Sequence, residues 1–73
     1  MGHEEALLQR RATVAAIKEA EMLARASRNH SAFIKLIALF QQALEVYSVE
    51  ELSAIEARAN TYKRQLQNDP PQP

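Results

Sequence analysis

Between Phe33 and Tyr47 apolar side chains recur so densely that they cover more than half of a helix circumference. Phe33, Leu36, Ile37, Phe40, Leu44 and Tyr47 form one broad face with Ala43 beside it. Leu39 and Val46 fall on one flank and Ile34 on the other, while the polar positions are Lys35, Gln41, Gln42 and Glu45. An arc this wide predicts a central helix covered on most sides. The segment after it is patterned more sparingly. Leu52, Ile55, Ala59, Tyr62 and Leu66 follow one another at intervals of three and four residues, a narrow seam suited to one neighbouring helix or a shallow groove. The first third of the chain has two unlike sides. One is lined with Ala12, Ala16, Ala20 and Ala24 among Leu8, Ile17, Met22 and Leu23, small residues that let another helix approach closely. The other carries Arg10, Arg11, Lys18, Arg25 and Arg28 with Glu21 as its one acid, and Leu7 and Val14 near its beginning.

Three helices are therefore predicted, over about residues 4–28, 32–47 and 49–67. Residues 3–69 hold neither glycine nor proline, and the helix formers Ala, Leu, Glu, Gln and Arg dominate. Glu4 and Glu5 stand where a helix start favours negative charge, and Arg25 and Arg28 where its end favours positive charge. The first break falls in "SRNHS", with Asn29 tolerant of the left-handed conformation and Ser31 able to cap the second helix. The second falls in "YSVEEL", where Ser48 and Glu51 have the spacing of a capping box and Tyr47 and Leu52 that of a hydrophobic staple. The whole of residues 1–68 reads as one helical domain, and residues 69–73 as a proline-rich disordered tail.

Composition turns this pattern into a question of cover. A chain of 73 residues buries only about 60% of the surface that its unfolded form exposes, and this one has no cysteine to staple it. His3 and His30 share no metal-ligand spacing, and His3, in "MGH", carries no weight as a possible tag remnant. The two neighbouring helices shield about two-thirds of the middle one. Leaving Leu39 and Val46 wet forgoes roughly 1.5–3 kcal/mol each relative to full burial. The expectation is an all-α three-helix bundle completed by a second copy of the chain, since two-fold dimers are the commonest soluble assembly.

Charge and chemistry narrow the function further. The formal net charge is zero, basic early in the chain and acidic from Glu45 to Glu56, which disfavours non-specific nucleic-acid binding. A basic first helix used by a dimeric transcriptional regulator is the alternative reading, but that helix holds few side chains able to read bases, Gln9 aside. No apolar run is long enough to span a bilayer, and a cytoplasmic protein is expected. No nucleophile–base arrangement, glycine-rich phosphate loop or metal-ligand cluster is spelled out, so neither catalysis nor a cofactor is expected. What remains is binding to another protein. The residues expected to carry it are Arg11, Lys18, Arg25 and Arg28, as a basic strip, with Leu39 and Val46 as exposed apolar contacts. By size and simplicity the chain resembles the small helical inhibitors, anti-activators and adaptors encoded by phages, plasmids and secretion systems, an analogy of fold alone.

Overall fold

The computed structural model describes residues 2–68, which form three α-helices: α1 (Gly2–Ala26), α2 (His30–Glu45) and α3 (Val49–Asn68). The proline-rich tail expected at 69–73 lies outside the described residues. The helices run up, down and up along an elongated body of 47 × 18 × 14 Å, as the three-residue connections at 27–29 and 46–48 require of neighbouring helices.

Both turns are built from side chains at hand, though not always the expected ones. At the end of α1 the amide of Asn29 donates to the Ala24 carbonyl at 2.9 Å and that of Arg28 to the Arg25 carbonyl at 3.1 Å, a Schellman pair. Its left-handed residue is Arg28, with φ of 57°, rather than Asn29. Asn29 is instead the N-cap of α2, its side chain accepting from the Ala32 amide at 3.1 Å, so Ser31 sits inside the helix and caps nothing. Asparagine and serine cap about equally well, and the use of Asn29 starts α2 two residues sooner. Because a side chain with a Cβ is held at positive φ, Arg28→Gly should raise stability by about 0.5–1 kcal/mol, read as an upward shift of the urea midpoint. At the second turn Ser48 Oγ accepts from the Glu51 amide at 3.4 Å. Tyr47 does not fold inward as a staple; it stays 71% exposed with the Arg10 guanidinium 4.6 Å from its ring centre.

The central helix is α1, not α2. α1 packs along both partners, most closely on α3, while α2 and α3 meet along a much sparser line. The cause lies in side-chain size. Ala16, Ala20 and Ala24 of α1, Ala59 of α3, and Ala32 and Ala43 of α2 are all buried, so the backbones come close and the large core side chains reduce to Ile17, Leu36, Leu39, Leu52, Ile55 and Leu66. Among them lies one polar residue, Thr13, fully buried. Its hydroxyl is 2.8 Å from the Gln9 carbonyl and 2.9 Å from that of Leu52, and its single proton serves one of them at a time. Gln9 Nε2 donates to Thr13 at 3.3 Å and to Glu56 at 2.7 Å, and Lys63 pairs with Glu19 farther along, so α1 and α3 are fixed in register as well as packed.

The buried face of α2 explains where the surplus apolar surface goes. It is Ala32, Leu36, Leu39 and Ala43, with Val46 packed partly against it. Leu39, expected at the surface, is only 6% exposed. An apolar arc wider than half a turn holds two heptad seams one residue apart, here 32-36-39-43 and 33-37-40-44-47. The inner seam, with its two alanines, fits the close approach that α1 imposes, and this turns the bulkier seam outward.

Candidate protein-docking face

The outward seam of α2 and the basic side of α1 form one continuous face. Ile34 is 54% exposed, Ile37 38% and Leu44 50%, while Phe33 and Phe40 are half-buried against the core. Beside them α1 presents Leu7, Arg11, Val14, Lys18, Glu21, Arg25 and Arg28, again at alternating intervals of four and three.

Since the two helices are antiparallel, heptad steps on one oppose heptad steps on the other. Arg11, Lys18 and Arg25 recur every seventh residue on α1; Phe33, Phe40 and Tyr47 do so on α2. The middle pair is in contact, with the Lys18 ammonium 4.5 Å from the Phe40 ring centre. At one end Arg25 and Arg28 line a surface depression of about 400 Å³ together with Phe33 and His30. At the other end the cation over Tyr47 is Arg10, the residue next to Arg11. A cation over an aromatic face contributes about 0.5–1 kcal/mol at an exposed site. These contacts keep partly wet rings from being bare.

Arg10 has a second task. Its Nε donates to the Ala43 carbonyl at 3.2 Å and its Nη2 to the Val46 carbonyl, the open end of α2. α2 has no basic residue in its own last turn, so α1 supplies the positive charge and the donors that its C-terminus lacks. Nothing local in the α2 sequence signals this contact, which spans more than thirty residues of chain.

The residues expected to bind a partner thus divide. Arg11, Lys18 and Arg25 share one row, and Arg28 continues it into the turn. Lys18 also lies 4.0 Å from Glu21. Arg11, Arg25 and Arg28 are exposed and make no ion pair or side-chain hydrogen bond among the described residues. Leu39 and Val46 do not join them, because α1 and α3 cover the first and the α2–α3 turn draws in the second. Their place is taken by Ile34, Ile37 and Leu44, which periodicity assigns to the middle of the buried arc or its far flank. Among the described residues no group of three metal-ligating side chains comes together, and no helix is long and apolar enough to cross a membrane. No protein-family model, curated protein or solved structure matches the chain.

Proposed function

We propose that this domain is a non-catalytic protein-binding module of the cytoplasm, an inhibitor, anti-activator or adaptor that works by covering an interface on a regulatory or secretion-system protein. One observation carries the reading: large apolar side chains at Ile34, Ile37 and Leu44 lie open beside arginines that have no ion-pair partner among the described residues, on a face built from two helices. Scattered exposed leucines are ordinary, but a contiguous apolar ridge rimmed by charge is the composition of an interaction surface. Nucleic acid is a poorer occupant, because the ridge interposes Ile37 and Leu44 where phosphate contacts would need polar donors.

A photo-crosslinking amino acid in place of Ile37 tests the proposal in the native cell. Irradiation should yield one dominant protein adduct, absent when the same group replaces Ala57, exposed on α3 and outside the groove between α2 and α3. Adducts equally strong from both positions, or adducts to nucleic acid, would overturn the binding role assigned to this face.

A further inference from the structure

We infer that the occupant of this face is an acidic amphipathic helix of another protein, lying in the groove between the outer seams of α1 and α2. The inference presupposes the protein-binding role of that face and adds to it the chemistry of the partner.

The α1–α2 hairpin has two heptad faces. Its inner face, built on Ile17, Ala20 and Ala24 of α1 and on Leu36, Leu39 and Ala43 of α2, receives the seam of α3. Its outer face repeats the same alternation of three and four on both helices, and among the described residues no helix of the chain lies on it. Two heptad ridges side by side form the type of groove into which a further helix sets its own apolar stripe. The length is set by α2: sixteen residues at about 1.5 Å each give roughly 24 Å, or about four turns of a partner helix.

The charges select among possible helices. Arg11, Lys18 and Arg25 stand about 10 Å apart along one edge of the groove, with Arg28 beyond them at one end and Glu4 one heptad before Arg11 at the other; between these ends only Glu21, largely shielded and beside Lys18, offsets them. A partner carrying Glu or Asp at seven-residue intervals beside its apolar stripe meets each cation in turn. A second copy offers poorer charges. Its equivalent face brings the same cations, and the flank of α2 beyond the ridge sets only Glu45 against them, since Lys35 lies in the groove between α2 and α3. α3 of a second copy is no better, since its apolar seam is already buried in its own core.

The test uses the full chain and two labelled synthetic 21-residue helices with leucine at the heptad a and d positions. One has glutamate at e and g, the other lysine; like charges keep each from pairing with itself. Fluorescence anisotropy at about 150 mM salt should show the acidic helix binding at least tenfold more tightly than the basic one, and more weakly as salt rises. The double variant Arg11→Glu, Arg25→Glu, both at exposed positions, should reverse that preference while its circular dichroism stays unchanged, and Ile37→Ser should weaken binding of both helices. Equal binding of the two peptides, binding of neither, or indifference to the double reversal overturns the inference. So does a dimer in light scattering that Ile37→Ser dissolves, which would make a second copy the occupant. A strong protein adduct at residue 37 alongside any of these results would leave the binding role standing without its acidic-helix partner.

Discussion

Replacing Leu36 with alanine should destabilise the domain by about 2–5 kcal/mol, the loss of a large side chain from a site that cannot collapse. Leu36 is completely covered, and with Ile17 and Leu52 it is one of three large apolar side chains in that state, one from each helix. Domains have roughly 0.05–0.15 kcal/mol of stability per residue, so a chain of 73 residues holds about 4–11 kcal/mol in all. One such truncation removes a large share of it. In a domain this small each kcal/mol moves the melting temperature by about 4–8 °C, so thermal unfolding followed by circular dichroism should show a drop of roughly 10–30 °C. The informative control is Leu44→Ala. Leu44 has the same side chain on the same helix but is half exposed, and its truncation should cost under about 1.5 kcal/mol. Equal losses at the two positions would mean that the outer seam is buried too, by another copy of the chain, and that the docking face is not open.

The contrast between Leu36 and Leu44 also shows how far the sequence can be read. The three helices follow from continuous helix-forming composition and from the absence of glycine and proline inside residues 3–69. Turns are legible where a single side chain decides them, as at Ser48, and ambiguous where two candidates compete. In "SRNHS", Asn29 takes the cap and leaves the left-handed position to Arg28. The larger discrepancy concerns burial. Periodicity locates an apolar arc on α2 but cannot choose between two heptad seams one residue apart, and weighting the arc by side-chain size favours the seam with Phe33, Phe40 and Tyr47. The choice is made by α1. Its alanines demand a slim partner, and its cations make the bulky seam tolerable at the surface, Lys18 over Phe40 and Arg10 over Tyr47. Both facts belong to a pair of helices, so neither is visible in the pattern of one. For the candidate site the basic row is legible from α1 alone, whereas the apolar half lies on Ile34, Ile37 and Leu44 instead of the expected Leu39 and Val46.

If α1 is central because its buried side is slim, then Ala20→Leu should damage the fold from the opposite direction to a cavity. Ala20 has no exposed surface, and it lies between Ala16 and Ala24 on the buried side of α1. Leucine adds three carbons that must either leave their preferred rotamer or push a neighbouring helix outward; overpacking of this type costs about 1–3 kcal/mol. Here the cost should lie at the upper end or above it. Displacing α3 also strains the contact of the Thr13 hydroxyl with the Leu52 carbonyl and the Gln9–Glu56 hydrogen bond, which join the same two helices. Ala12→Leu makes the same chemical change on the same helix at an exposed position and should stay within about 0.5 kcal/mol of the parent. Urea midpoints separate the two, with the Ala20 variant unfolding at markedly lower denaturant. Tolerance of leucine at both positions would show that close approach does not govern the packing, and the reason given for α2 turning its aromatic seam outward would fall with it.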